Sequence, residues 1–161
     1  MPKTGVSVAI EAGRSDLWTP YELGAKPPLT GPKTPGMTSD CSGFIRRIVA
    51  KGLAALGITS LVRNGKTIPV REFDGSQRQM RLVREIPLEV ARKTVGALLF
   101  MKARPGHYGH VAMVVDEKGR TLECRGGHGV CFVSAAENAK RKWDVGGKLD
   151  ELFTSGEVKA A

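Results

Sequence analysis

The chain has 161 residues, 41% hydrophobic and 25% charged, enough to bury one core but too few for two sizeable domains. No apolar run approaches the roughly 18 residues needed to span a bilayer, which excludes a membrane-spanning helix. Lysine and arginine outnumber aspartate and glutamate 25 to 16, and the resulting net charge of +9 favours an anionic partner: nucleic acid, a membrane surface or an acidic wall polymer. Three cysteines without a CxxC pair argue against a disulfide scaffold and leave at least one free thiol. The opening MPKTGVSVAIEAGRSD has neither a continuous apolar stretch nor a cleavage site, so synthesis in the cytoplasm without a signal peptide is expected.

Residues 5–18 carry Val6, Val8, Ala9, Ala12 and Leu17 at loosely helical spacing. Five prolines between Thr19 and Asp40 then forbid regular helix. From Asp40 the pattern changes. Ile45, Ile48, Val49, Leu53 and Leu56 fall on one helical face and Arg46, Arg47 and Lys51 on the other, with Ser39 or Asp40 as N-cap and Gly57 as stop. This predicts a helix over about 41–56. Asn64-Gly65 between two short apolar pairs predicts a small hairpin. A basic segment with Arg78, Arg81, Arg84, Arg92 and Lys93 follows, expected to be helical in part.

The second half reads as an antiparallel sheet, with strands expected at 97–102, 109–115, 120–124 and 129–134 separated by turn residues. AENAKRK reads as a short surface helix. Trp143, Leu149, Leu152 and Phe153 are expected to pack the end onto the core, with 154–161 frayed. Helices first and strands afterwards indicate an α+β domain over 1–161, its core spanning about 5–153.

Cys41 falls in the first turn of the amphipathic helix, where unpaired N–H groups and the helix dipole favour a thiolate and can hold an oxyanion. His110 opens the strand HVAMVV, sharing a face with Ala112 while Val111, Met113 and Val115 take the other. That small-residue face leaves space for a helix end to approach. A base needs an orienter. If Asp116–Gly119 form a four-residue loop, Val115 pairs with Arg120 and Glu123 falls opposite Ala112, within reach of His110. A three-residue loop places Cys124 there instead.

These residues resemble the NlpC family of papain-like cell-wall cysteine endopeptidases. Asp-Cys-Ser-Gly-Phe (40–44) is similar to its nucleophile signature, and Thr-Pro-Tyr-Glu-Leu-Gly (19–24) to the aromatic segment before it. Gly96–Phe100 and Gly109-His110-Val111-Ala112 resemble the two strands that follow, and Leu122-Glu123 aligns with the third catalytic position. The resemblance implies a papain-like fold, N-terminal helices packed on a central antiparallel sheet. It also implies peptidoglycan hydrolysis at stem-peptide amide bonds, commonly between D-glutamate and diaminopimelate. By the same resemblance Cys41 is the nucleophile, His110 the base and Glu123 the orienter, with His128 as the alternative orienter. Tyr21, Asp40 and Ser42 would help hold substrate or the oxyanion. No metal or organic cofactor is implied, and the expected partner of a monomer is the anionic wall. The lack of a leader fits a phage lysis or tail enzyme, or a delivered toxin.

Three other readings stay open. An N-acetylmuramoyl-L-alanine amidase of the Cys-His type would use the same pair on a different bond. A basic nucleic-acid-binding module suits the charge, although only 6% of residues are aromatic and the basic residues are spread over several segments. A metal site could draw on Cys41, Cys124, Cys131, His107, His110 and His128, but their spacings match no common zinc pattern.

Overall fold

The computed structural model describes residues 3–154 and Val158. Helix α1 (Gly5–Ser15) is closed by a reciprocal capping box between Thr4 and Ser7. The proline-rich segment crosses the surface, and α2 (Cys41–Ala55) begins on Asp40, whose Oδ1 accepts from the Gly43 N–H at 2.7 Å. Gly52 lets the two helices touch, since a Cβ there would lie 2.5 Å from the Gly5 carbonyl oxygen. Strands β1 (Ser60–Arg63) and β2 (Lys66–Pro69) form the expected hairpin, with Asn64 and Gly65 both at positive φ.

The basic segment divides into α3 (Ser76–Leu82), β3 (Arg84–Ile86) and α4 (Leu88–Ala91). Strands β4 (Leu98–Met101), β5 (His110–Val114), β6 (Thr121–Arg125) and β7 (Gly129–Val133) follow, then α5 (Ala135–Lys140) and β8 (Val145–Lys148). Together they make a six-stranded antiparallel sheet in the order β3-β8-β4-β5-β6-β7. The protein is therefore α+β, with helices packed on a mostly antiparallel sheet. None of the described helices is long and apolar enough to cross a membrane. The expectation of fraying over 154–161 falls, apart from Thr154 and Val158, outside the described residues.

Each face of the sheet has its own core. On one, Phe44, Ile45, Ile48 and Leu53 of α2 pack with Phe100, Val111, Met113 and Leu122, and Leu149 and Leu152 close the far side. On the other, Ala112 and Val114 lie under Ala91, Leu99 and Trp143. The helix therefore sits on the large-residue face of β5, not on the small-residue face, which Trp143 fills. Arg47 also departs from the solvent-facing stripe expected of it. It is fully buried, paired with Asp16 at 2.8 Å and bonded to the carbonyls of Pro28 and Gly31 at 2.7 and 2.9 Å. The proline-rich loop folds over that side of α2, and Arg47 supplies hydrogen-bond donors to its backbone carbonyls.

Candidate active site

The first turn of α2 is held from several sides. Lys26 Nζ donates to Asp40 Oδ2 at 2.7 Å and to Ser42 Oγ at 2.9 Å, and pairs with Asp74 at 2.9 Å. Gln79 of α3 donates to the Ser42 carbonyl at 3.0 Å. Asp40 and Ser42 thus spend their side chains on anchoring the helix start, rather than offering them to a ligand as expected. The backbone N–H groups of Cys41 and Ser42 lie where no intrahelical acceptor exists and can meet an incoming anion.

Cys41 is 8% exposed, and its Sγ lies 3.9 Å from the Gly109 carbonyl oxygen, immediately before His110. Cys41 lies close enough to the His110 imidazole to favour its charged form. α2 covers one face of the sheet and His110 faces the other, with Cys41 placed beside the start of β5. That end is tightly built. A Cβ on Gly109 would fall 2.3 Å from Gln77 Nε2 and 2.6 Å from Ser76 Oγ.

The turn after β5 sets the orienter. Gly119 takes φ +101°, Asp116 Oδ1 accepts from the N–H groups of Lys118 and Arg120, and Val115 donates to the Arg120 carbonyl at 2.8 Å. Met113 pairs with Leu122, so Glu123 comes level with Ala112 on the His110 face. Glu123 Oε1 lies 2.7 Å from His110 Nε2. With Nε2 engaged, Nδ1 is the nitrogen left for sulfur. His128, the alternative orienter, instead occupies the exposed β6–β7 turn, its Nδ1 3.3 Å from the Gly126 carbonyl oxygen.

Glu123 is fully buried, and its remaining acceptor sites are filled by residues that no motif had singled out. Thr121 Oγ1 donates to Oε2 at 2.6 Å, while Arg141 NH1 and NH2 donate to Oε2 and Oε1 at 3.0 and 2.8 Å. Asn138 joins the set by donating to Thr121 Oγ1 and accepting from Arg141. Trp143 stacks on the His110 ring, with centroids 6.0 Å apart, and the Arg141 guanidinium lies 4.6 Å from the Trp143 centroid.

Burial disfavours a charged His110, but its contacts with Cys41 and Glu123, and the Glu123 charge, prevail and hold its pKa at about 9. Burial equally opposes ionisation of Glu123, yet the bonds from His110 and Arg141 and their charges hold it at about 2. The arrangement thus favours an imidazolium held against the Glu123 carboxylate. Tyr21 flanks the sulfur through its bridge to Ser39, and burial together with the charges of Cys41 and Asp40 raises its pKa.

The other cysteines differ in kind. Cys124 donates to the Ser39 carbonyl at 3.3 Å, and burial, then the charge of Cys41, pushes its thiol up to about 12. Cys131 is also raised, chiefly by burial. Among the described residues no group of three or more His, Cys, Asp or Glu is arranged to hold a metal ion. No protein-family model matches the sequence, and no curated protein matches it either.

Proposed function

We propose that the protein is a cysteine hydrolase of the NlpC type, with a papain-like arrangement of helix and sheet, that cleaves stem-peptide amide bonds in peptidoglycan. The observation that carries this reading is that Cys41 Sγ, at the mouth of α2, lies 3.9 Å from the Gly109 carbonyl oxygen, next to an imidazole whose Nε2 is 2.7 Å from a buried carboxylate. In the cycle this supports, the Cys41 thiolate attacks the amide carbonyl carbon. The backbone N–H groups of Cys41 and Ser42 receive the oxyanion. The His110 imidazolium gives its proton to the leaving amine as the C–N bond breaks, leaving a thioester. Neutral His110 then takes a proton from water, the hydroxyl attacks the thioester, and Cys41 departs as thiolate with the imidazolium restored.

The net charge of +9 suits an anionic wall as substrate, through electrostatic attraction of the protein to it. A phage lysis or tail enzyme, or a delivered toxin, fits this role. The test is digestion of purified sacculi followed by mass spectrometry of the released fragments. The protein should release stem peptides, and Cys41→Ala and His110→Ala should abolish release while remaining folded. New termini between D-glutamate and diaminopimelate identify an endopeptidase. Peptides freed at L-alanine identify the amidase alternative. Wild-type digestion by both variants refutes the mechanism.

A further inference from the structure

We propose that Arg141 is a positioning residue of the catalytic centre, clamping Glu123 with both terminal guanidinium nitrogens and cancelling its charge so that the carboxylate can aim His110 at Cys41. This rests on Cys41 and His110 acting as nucleophile and base, as proposed above. Three observations converge on it. First, the clamp is bidentate, and Arg141 sits at the end of α5, where the backbone turns extended and projects the side chain inward. Second, the clamp belongs to a closed ring. Glu123 accepts from Thr121, Thr121 accepts from Asn138, Asn138 accepts from Arg141, and Arg141 donates back to Glu123. Third, Arg141 lies over Trp143, the ring stacked on His110. One side chain therefore contacts both the hydrogen-bonding and the stacking partner of the imidazole.

A fully buried carboxylate poses a problem for a cysteine nucleophile. It orients the imidazole, but its negative charge also opposes formation of a thiolate on the far side of the ring. The Arg141 charge removes that opposition. The charged and titratable groups around the pair include Asp40 with its Lys26 partner, Tyr21, Cys124, Cys131, Arg125, Glu123 and Arg141. Deleting the Arg141 charge makes the surroundings of sulfur and imidazole more negative. Both should then hold their protons to higher pH.

The test follows the rate of Cys41 alkylation by iodoacetamide from pH 4 to 11, with peptide mapping to fix the modified thiol and circular dichroism to confirm folding. The wild type should show an acid limb, where the thiolate–imidazolium pair forms, and a basic limb, where the imidazolium is lost. Arg141→Gln should move both limbs upward by about one pH unit. Arg141→Lys keeps the charge but not the fork, and should leave the limbs near their wild-type positions. A folded Arg141→Gln protein with both limbs unmoved overturns the proposal. If that variant does not fold, Glu123→Gln and Glu123→Gln/Arg141→Gln make the comparison instead. The double variant should titrate higher than the single one, and coincident profiles overturn the proposal. Shifted limbs in a protein that leaves sacculi intact would refute the wall substrate and support the role of Arg141. A wild-type Cys41 that alkylates as an ordinary thiol, with no limb linked to the imidazole, overturns both.

Discussion

Replacing Glu123 with glutamine should make the stability of the protein respond differently to pH. Glutamine keeps the size and an acceptor oxygen, but it removes the charge facing His110. The folded pKa of Glu123 is about 2 against an ordinary 4.5, so its contribution is present above pH 4.5 and fades as pH falls toward 2. The folded pKa of His110 is about 9 against an ordinary 6.5, so its contribution is complete below pH 6.5 and is lost as pH rises through 9. Each displacement corresponds to about 3 kcal/mol, and because the two largely describe one shared interaction they are counted once. The wild type should therefore exceed Glu123→Gln by about 3 kcal/mol at pH 5.5, equivalent to a urea midpoint about 1–3 M higher. By pH 10 the gap should narrow by about 2–3 kcal/mol, leaving the part owed to Arg141. Urea unfolding followed by tryptophan fluorescence at both pH values measures the change. Equal midpoint differences at pH 5.5 and pH 10 would show that the carboxylate does not hold a charged imidazole.

Arg47→Ala should cost about 3–5 kcal/mol in thermal unfolding, because Asp16 would remain buried without its cation. Adding Asp16→Leu should recover much of that loss, and no recovery would mean the carbonyl contacts of Arg47 dominate. Gly109→Ala should displace Gln77, which bridges the Met101 carbonyl and the Ala103 N–H, at a cost of about 1–2 kcal/mol and with slower alkylation of Cys41. Wild-type alkylation kinetics in a folded Gly109→Ala protein would show that the loop before His110 tolerates the added methyl.

Where local chemistry decided the structure, the sequence was legible. Asp40 as cap, the apolar stripe of α2 and the Asn64-Gly65 turn each act within a few residues, and the structure has them where expected. The position of Glu123 was also accessible, because the Asp116–Gly119 turn fixes strand register and register fixes which face a side chain takes. Burial of Trp143 was expected, but its stacking on His110 and the Arg141 clamp on Glu123 were not legible. AENAKRK looks like a charged surface helix, and nothing local reveals that its last arginine leaves the helix to meet a carboxylate 18 residues earlier. Strand β8 was missed for a related reason. Gly146 and Gly147 argue against a strand, yet they are needed because Ala91 and Val83 press against them at 2.3 and 2.2 Å from where a Cβ would lie. Arg47 was misplaced because helical periodicity describes a helix against one core and is blind to a loop folded over its back.

The position of β8 between β3 and β4 has a consequence for biosynthesis. A ribosome releases Cys41 early, on a helix that can be capped as soon as Asp40 and Gly43 emerge. The sheet beneath it stays split until Val145–Lys148 arrive to join its halves. Arg141 and Trp143 emerge only just before that strand. The chain therefore spends most of its synthesis with Cys41 present but the partners of Glu123 and His110 incomplete, and a ribosome-bound fragment ending before residue 141 should lack the cation that pairs with Glu123.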